Sequence, residues 1–319
     1  MDVKRVLVTG ATGFIGSHLI KRLVQQGFKV GIIKRQNSDI WRIKDILSQL
    51  RIFSTDIRDT QIVRNIVTEF QPNAIIHLAA YYAVEHKPED IVPLIQSNVL
   101  GTVNLLEAAR INKVTLFINT SSCFVYKGNK AKLKEESELE PANLYALSKI
   151  HAEQACSYYS RMYGSSCVTL RVFPPFGPAD HVRCMIPSII KNFFEDEAPE
   201  LTTGEQKRDW VYVDDLVDAY LSLLENPKLR FKHEVFNVGT GNPVSVKNVA
   251  LRLKRIVGSD LEPNFGVIPP RKNEYKLLSS DITKAKKLLG WEPKTTFDEG
   301  LMLTVEWYKK HLVNNKLFK

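Results

Sequence analysis

Short apolar runs alternate along this chain with longer stretches in which apolar residues recur every three or four positions. The runs predict strands buried on both faces, and the periodic stretches predict helices with one apolar side. The runs lie near residues 6–8, 30–33, 51–53, 74–78, 115–119 and 167–173. Because strands and helices alternate, we expect a doubly wound parallel sheet with helices on both faces and right-handed crossovers, an α/β fold of the Rossmann type.

A glycine-rich turn joins the first predicted strand to the first predicted helix. In this setting Gly10 permits a tight turn, Gly13 lets backbone N–H groups approach a pyrophosphate, and Gly16 lets the helix pack on the strand. The positive end of the helix then faces the phosphates. A glycine turn without a cofactor is the alternative, but the flanking elements favour a dinucleotide site. Its predicted residues here are Gly10, Thr12, Gly13, Phe14, Ile15 and Gly16.

The end of the second predicted strand indicates which dinucleotide binds. An NAD site usually carries a carboxylate there, about 20 residues past the glycines, for the ribose 2′-OH. This chain has Lys34 and Arg35 instead. Two cations can neutralise a 2′-phosphate, so NADP(H) is favoured and NAD(H) stays possible. The alternative is that both are solvated charges at a strand end.

Later strand ends supply further candidate cofactor contacts. Asp56 and Ile57 follow the third strand and could hold an adenine ring, although Asp56 could instead cap the next helix. Small residues after the fourth strand would let the cofactor lie against backbone, at Leu78, Ala79 and Ala80. His77 in that strand is expected to be a packed core histidine.

The polar stretch 127–141 is expected to be a loop. After it, Tyr145 and Lys149 are spaced to lie on one face of a helix. A free phenol has a pKa of about 10, and Lys149 together with an oxidised nicotinamide would lower it. Lys149 could also bond the nicotinamide ribose. Ser122, after the fifth strand, would donate to the reacting oxygen while Tyr145 transfers its proton. Alone this spacing is typical of a helix surface pair, but after the glycine turn and the hydroxyl-ended strand it predicts catalysis.

Together these motifs resemble the extended short-chain dehydrogenases/reductases, in the nucleotide-sugar epimerase/dehydratase/reductase family. The resemblance covers nearly the whole length. It rests on residues 9–16, 56–57, 77–80, the region of Asn98, Ser122, Tyr145 with Lys149, 171–178, 208–215 and 289–291. It implies a nucleotide-diphosphate sugar as substrate, with Arg208 and Arg271 on the diphosphate and Cys123, Phe124 and Cys184 as further substrate-binding residues. As alternatives, Arg208 could simply pair with Asp209 or Asp214, and Arg271 could be a solvated charge.

The resemblance also limits the reactions that we expect the chain to catalyse. Family dehydratases carry an Asp-Glu pair where this chain has Cys123 and Phe124, so elimination of water is not expected. Members that epimerise C3 or C5 often carry a His where this chain has Cys184. We expect Cys184 to be a small, buried, apolar residue. The alternative is that its thiol acts as a base, with His181 close by. The reaction that remains after these exclusions is hydride transfer at a single carbinol carbon, most simply C4. Segment 202–209 also resembles 4-ketoreductases of deoxysugar pathways.

These differences between the chain and other members of the family leave three candidate functions. The first is an NADP(H)-dependent reductase of a C4 keto group, with a 6-deoxy sugar nucleotide as the expected substrate. The alternative is a 4-epimerase with tightly bound NAD(P). A non-catalytic NADP-sensing module is a remote alternative, because such proteins typically lack the Tyr or the Lys that this chain keeps.

Past residue 173 the pattern changes from the regular alternation. Residues 174–178 leave the sheet, 185–194 predict a helix over the site, and 208–213 predict a short strand. Residues 234–238 are expected to return to the sheet. We therefore expect a dinucleotide-binding domain over 1–173, to which 234–258 returns, and a smaller α/β nucleotide-sugar-binding lobe over 174–233 and 259–319.

Composition limits the remaining classes. The 319 residues are 44% hydrophobic and 25% charged, as in ordinary globular proteins, and no apolar run is long enough for a membrane span. Residues 1–5 lead straight into a predicted strand, so we expect no signal peptide. The net charge of +9 is spread out, which disfavours nucleic acid and suits small phosphorylated ligands. The four cysteines lack metal-type pairing, so we expect no metal and a cytoplasmic protein with reduced thiols. The family resemblance implies a homodimer.

Overall fold

The computed structural model describes residues 4–225, 233–271 and 274–312 of the chain. In chain order the strands are β1 (Arg5–Thr9), β2 (Lys29–Lys34), β3 (Leu50–Ser54), β4 (Ala74–His77), β5 (Leu116–Ser122), β6 (Lys130–Leu133), β7 (Cys167–Val172), β8 (Pro175–Phe176), β9 (Glu200–Leu201), β10 (Lys207–Arg208), β11 (Val211–Tyr212), β12 (His233–Val238), β13 (Val244–Ser245), β14 (Asn264–Phe265) and β15 (Leu277–Ser280). The α-helices are α1 (Phe14–Gln25), α2 (Thr60–Phe70), α3 (Ile91–Ile95), α4 (Gly101–Ile111), α5 (Leu144–Tyr163), α6 (Met185–Phe194), α7 (Val213–Glu225), α8 (Val246–Val257), α9 (Thr283–Leu289) and α10 (Phe297–Leu312). Tighter 3-10 turns cover Trp41–Gln49, Pro88–Asp90 and Cys123–Val125, and a π-helical turn, Gln96–Leu100, joins α3 to α4.

The large layer is a seven-stranded sheet in the order β12-β7-β5-β4-β1-β2-β3. All of its neighbouring strands pair in parallel. Its order reverses direction at β1, which is the switch point where ligands of such sheets bind at the carboxyl ends. The predicted fold class, a Rossmann-type doubly wound sheet, is confirmed.

The alternation of side chains along β1 explains why both faces of the sheet are covered. Val6 and Val8 are fully buried in a core shared with α1 and α7, whereas Leu7 is buried in a second core shared with α2 and α4. Each face therefore needs its own helical layer. Burying one such side chain stabilises the fold by about 1.5–3 kcal/mol.

A smaller lobe lies beyond the sheet. Helices α6, α8 and α10 pack around a third apolar core, which includes Ile190, Leu253 and Leu301. A four-stranded sheet in the order β13-β10-β15-β6 lies beside it. The proposed division of the chain into 1–173 with 234–258, and 174–233 with 259–319, stays a prediction. Residues 1–3, 226–232, 272–273 and 313–319 of those ranges lie outside the described residues. Because α8 packs on α6 and α10, we propose that the chain leaves the large domain after β12.

Two expectations about local structure were wrong. The polar stretch 127–141, expected to be a loop, contains β6, which pairs with β15 from the far end of the chain. The single strand expected over 208–213 is divided into β10 and β11, which belong to different sheets. The break falls at Asp209, whose fully buried carboxylate accepts hydrogen bonds from the backbone N–H groups of Thr240, Gly241 and Ser280.

A buried ion pair fastens α5 to β7. Arg171 donates to both carboxylate oxygens of Glu153, at 3.0 and 2.7 Å, and also to the backbone carbonyl of Glu135 at 2.8 Å. Both side chains of the pair are at most 7% exposed. The pair therefore links a helix, a strand and the segment that carries β6.

We expect Glu153→Ala to lower the free energy of unfolding by about 3–5 kcal/mol, because it leaves the Arg171 guanidinium buried without its carboxylate. Urea unfolding measures this. Glu195→Ala removes one partner of an exposed helical pair with Lys191 and should change it by less than about 1 kcal/mol. Equal effects of the two substitutions would contradict the structural role given to Glu153.

Candidate active site

A cavity of about 260 Å³ opens where the carboxyl ends of β1, β2, β3 and β4 meet. Most of the residues expected to hold the cofactor line it. They are Gly10, Thr12, Gly13, Lys34, Arg35, Asp56, Ile57, Leu78, Ala79 and Ala80. Sequence reasoning missed Ser38, Thr55, Tyr81 and Ser97, which line the same cavity and carry no recognisable motif.

The glycine turn has the geometry that a dinucleotide requires. Gly10 has a φ of +72°, and a Cβ there would lie 2.6 Å from the backbone nitrogen of Ala79. A Cβ on Gly16 would lie 2.2 Å from the carbonyl oxygen of Gly10. The first turn of α1 carries no acidic residue, so its backbone N–H groups can donate hydrogen bonds to an anion. The residues present therefore fit a nicotinamide dinucleotide.

Phe14 and Ile15 contribute differently from the other residues of the turn. Phe14 packs on the core of the smaller lobe, and Ile15 packs on one core of the large sheet. Neither lines the cavity. Their backbone N–H groups lie in the first turn of α1, so the side chains orient the helix while the backbone faces the phosphate region.

The two cations at the end of β2 lie at the rim of the cavity. Lys34 Nζ donates to the backbone carbonyls of Arg35 and Gln36, at 3.2 and 3.3 Å. Arg35 is exposed. Both positive charges are therefore available at the cavity, in the place where a carboxylate would recognise an unphosphorylated ribose.

Asp56 does not cap α2. Its carboxylate instead accepts hydrogen bonds from the backbone and the guanidinium of Arg58, at 2.9 and 2.8 Å. The cap is Asp59, which accepts from the backbone N–H of Ile62. Asp56 and the buried Ile57 remain side by side on the cavity wall, in the arrangement proposed for an adenine ring.

Helix α5 brings Tyr145 and Lys149 to the end of β5. Asn143 caps this helix by accepting from the backbone N–H of Ala146. Lys149 is buried, its Nζ lies 5.7 Å from the centroid of the Tyr145 ring, and it donates to the Thr120 carbonyl at 2.9 Å. Tyr145 and Lys149 therefore form a pair inside the protein and not a helix surface pair.

In the protein alone, burial controls the protonation of Tyr145 and Lys149. Burial raises the pKa of Tyr145, and the neighbouring Tyr82, Cys123 and Tyr220 act in the same direction. Burial also lowers the pKa of Lys149 to about 8, although Glu153 opposes this. In the protein alone desolvation dominates, so Tyr145 is a neutral phenol. The lowering of its pKa by Lys149 together with an oxidised nicotinamide stays a prediction for the protein with its cofactor bound.

Ser122 and His77 are the last residues of two neighbouring strands, β5 and β4. Ser122 is the last residue of β5, and its hydroxyl accepts from the backbone N–H of Phe124 at 3.2 Å, which leaves its proton free for another acceptor. His77 is buried between the hydroxyls of Thr9 and Thr102, and burial with the charge of Lys149 lowers its pKa to about 3. His77 is thus a neutral core residue, as expected.

A second cavity, of about 720 Å³, lies between the sheet and the smaller lobe. Phe124, Arg208 and Arg271 line it. Arg208 pairs with Glu274 at 3.1 Å, and not with Asp209 or Asp214 as the alternative reading had it. Arg271 pairs with Glu85 at 3.0 Å and is 63% exposed. Two guanidinium groups on one wall suit an anionic diphosphate.

The two cysteines named as substrate residues do not line this cavity. Cys123 is buried, and burial raises the pKa of its thiol to about 12. Cys184 was expected to be buried but is exposed, because it lies at the start of α6. Partial desolvation of the thiol and the nearby Asp180 carboxylate raise its pKa, so it is a poor base.

Asn98 and Tyr82 make contacts next to Tyr145 and Lys149. The side chain of Asn98 donates to the Ser148 hydroxyl at 2.9 Å and accepts from the backbone N–H of Tyr81 at 2.7 Å. It lies in the π-helical turn, a feature often found at functional sites. The ring of Tyr82 packs edge-to-face on the ring of Tyr145. The resemblance named the Asn98 region, whereas nothing in the sequence singled out Tyr82.

Comparison with known proteins identifies the family of this chain. Residues 6–239 match the model of the NAD dependent epimerase/dehydratase family. CDP-abequose synthase of Salmonella typhimurium is 32% identical over 93% of this chain and 95% of its own. UDP-glucose 4-epimerase of Mycolicibacterium smegmatis is 32% identical over 96% and 98%. The structure of UDP-glucuronic acid 4-epimerase from Bacillus cereus, with UDP-glucuronic acid and NAD, superposes with a TM-score of 0.87 at 28% identity, covering 96% of this chain and 99% of that one.

The chain belongs to the NAD dependent epimerase/dehydratase family, whose members include nucleotide-sugar epimerases, dehydratases and synthases. It is an enzyme of that family, and the resemblance noted from the sequence is confirmed. No helix of the described residues is long and apolar enough to cross a membrane. Among those same residues, no group of His, Cys, Asp and Glu side chains is arranged to hold a metal ion.

We expect Tyr145→Phe to leave cofactor affinity nearly unchanged and to lower turnover by at least ~100-fold, since it removes a positioned proton donor without emptying the site. Steady-state kinetics and cofactor titration measure the two effects. Tyr158→Phe removes an exposed hydroxyl from the same helix and serves as the control. Near-normal turnover of the Tyr145 variant would exclude the role assigned to this phenol.

Proposed function

We propose that the protein is an NADP(H)-dependent nucleotide-sugar oxidoreductase that reduces the C4 keto group of a 6-deoxy sugar nucleotide. The observation that carries this proposal is the buried Tyr145, held as a neutral phenol beside Lys149 at the end of β5. A protonated donor is what reduction of a ketone requires. The segment 202–209 and the similarity to CDP-abequose synthase support a reductase.

The chain's own residues would carry out the proton chemistry. A bound nicotinamide supplies the hydride. Ser122 donates a hydrogen bond to the keto oxygen, and Tyr145 transfers its phenolic proton to that oxygen. Lys149, which already donates to Thr120, stabilises the phenolate that remains and bonds the nicotinamide ribose. Cys123 and Phe124 hold the positions of the acidic pair of dehydratases, and neither can remove a sugar proton at neutral pH.

Arg208 and Arg271 would bind the diphosphate of the nucleotide. Each guanidinium lies in the wall of the larger cavity, next to a carboxylate that it pairs with, Glu274 or Glu85. Because Arg208 is only 9% exposed and Arg271 is largely exposed, Arg208 is the better desolvated contact. Charge-assisted hydrogen bonds to phosphate oxygens then orient the sugar toward Tyr145.

A 4-epimerase with tightly bound NAD is the second candidate. Two of the proteins reported above are named as 4-epimerases, one of them in a complex with NAD. The same Tyr145, Ser122 and Lys149 would serve, with Tyr145 as the phenolate first accepting a proton from the C4 hydroxyl and then returning it. The cofactor distinguishes the candidates, because an epimerase regenerates it in each cycle and a reductase consumes it.

Product analysis separates the two candidates. Supplied with NADPH and a 4-keto-6-deoxy nucleotide sugar, a reductase loses nicotinamide absorbance in a 1:1 ratio to product. An epimerase interconverts two nucleotide sugars with no net change in that absorbance. Tyr145→Phe is the control for contaminating activity. Interconversion without NADPH consumption would overturn the reductase and support the epimerase, and cofactor binding without any turnover would overturn both.

The choice of NADP(H) rests on Lys34 and Arg35 at the cavity rim. We expect Lys34→Asp combined with Arg35→Ala to weaken NADPH binding by about 10-fold or more, since charge-assisted bonds to the 2′-phosphate are lost, and to affect NADH much less. Fluorescence titration with each cofactor measures this. Lys29→Asp changes an exposed charge at the opposite end of β2 and controls for net charge. Equal losses for NADPH and NADH would refute the preference.

We also propose that two copies of the chain pair through α3, α4 and α5. Large apolar side chains are exposed on these helices, which suits burial against a second copy. They are Ile91, Val92, Ile95, Ile111, Tyr158, Met162 and Tyr163.

The four free cysteines, three of them buried, support our proposal that the protein acts in the cytoplasm.

A further inference from the structure

The loop from Tyr81 to Lys87 is drawn together at its base by one carboxylate. Asp90 accepts from the Tyr81 hydroxyl at 2.6 Å and from the backbone N–H of Lys87 at 2.8 Å. Asn98 holds the same end of the loop through both the N–H and the carbonyl of Tyr81, at 2.7 and 3.0 Å. The base of this loop, which we name the 81–87 loop, is therefore fixed on α3 and the π-helical turn.

The 81–87 loop lies between the two cavities. Tyr81 lines the cofactor cavity, and Val84, Glu85 and His86 line the larger cavity. Tyr82 comes between these positions in the chain. Its ring centroid is 4.9 Å from that of Tyr145, with the rings inclined by 76°. An edge-to-face contact at this distance is a favourable aromatic arrangement that restricts the orientation of both rings.

Tyr82 is 66% exposed, so its ring is not held in place by a core. An exposed aromatic ring that packs on a buried catalytic phenol stabilises the fold little, but it limits how that phenol can turn. Three further groups act on the phenol. Lys149 approaches from the next turn of α5, and Cys123 and Tyr220 lie toward the sheet. Tyr82 is the contact with Tyr145 that the exposed 81–87 loop supplies.

We propose that Tyr82 is a positioning residue for the reaction, whose aromatic ring holds the Tyr145 phenol in its proton-transfer orientation and shields it from water. This inference rests on the proposed role of Tyr145 as proton donor. The orienting contact is made by the ring, so the hydroxyl of Tyr82 is not needed for it. A small misplacement of a reacting group can lower turnover greatly, so the loss of one orienting contact is measurable.

Tyr82→Ala and Tyr82→Phe test the proposal as a matched pair. We expect Tyr82→Ala to lower kcat about 10-fold with an unchanged KM for NADPH, since the ring that orients the phenol is gone. Tyr82→Phe keeps the ring and should restore most of the turnover. The pH dependence of kcat gives a readout that a purely structural role would not change. Without the shielding ring, the pKa of Tyr145 falls, and the loss of activity at alkaline pH begins at a lower pH.

A second measurement separates failure of this inference from failure of the proposed function. Tyrosinate absorbance of the protein alone, compared with the same variant carrying Tyr145→Phe, reports the titration of Tyr145 without any substrate. A lower pKa in Tyr82→Ala than in Tyr82→Phe supports the coupling even if no ketone is reduced. The proposal is overturned if Tyr82→Ala titrates and turns over like the unsubstituted protein. It is equally overturned if Tyr82→Phe is as impaired as Tyr82→Ala.

Discussion

The hydrogen bond from the Lys149 ammonium to the Thr120 carbonyl is the contact on which the site depends. It fixes α5 against the carboxyl end of β5, where Ser122 lies. Residues 145, 149 and 153 are spaced by four and share one face of this helix. Along that face come a proton donor, a buried cation, and the carboxylate of Glu153 that fastens the helix to Arg171 on β7. The stability of the fold and the geometry of the chemistry are thus set by a single helix face.

The parallel sheet explains why two cavities meet at this face. All seven strands present their carboxyl ends at one edge, and the glycine turn after β1 lets backbone come close to a ligand there. The cofactor cavity lies at the carboxyl ends of β1, β2, β3 and β4. Phe124, two residues after the end of β5, and Asn143, two residues before Tyr145, line the larger cavity.

Much of this arrangement could be predicted from the sequence, because it depends on local patterns. The apolar runs gave the strands, and the glycine turn gave the cofactor cavity. Features that depend on distant partners could not be predicted. Strand β6 forms only because β15, about 145 residues later, pairs with it, and the break at Asp209 reflects three backbone donors from remote segments.

The pKa values of Tyr145 and Lys149 in the folded protein also could not be predicted from the sequence. The sequence predicts a phenol made more acidic by Lys149 together with an oxidised nicotinamide, which is a state of the protein with its cofactor bound. Desolvation is a property of the folded environment, and it raises the phenol pKa and lowers that of the ammonium. The exposure of Cys184 and the approach of Tyr82 likewise depend on how the loops that carry them are held.

The most direct test of the account is to follow the hydride. NADPH carrying deuterium at the transferable C4 position would be incubated with a 4-keto-6-deoxy nucleotide sugar, and the product examined by mass spectrometry and NMR. The account predicts one deuterium on C4 of the sugar and an unlabelled proton on its oxygen. Product formed without deuterium, or deuterium retained by the cofactor while nucleotide sugars interconvert, would contradict it.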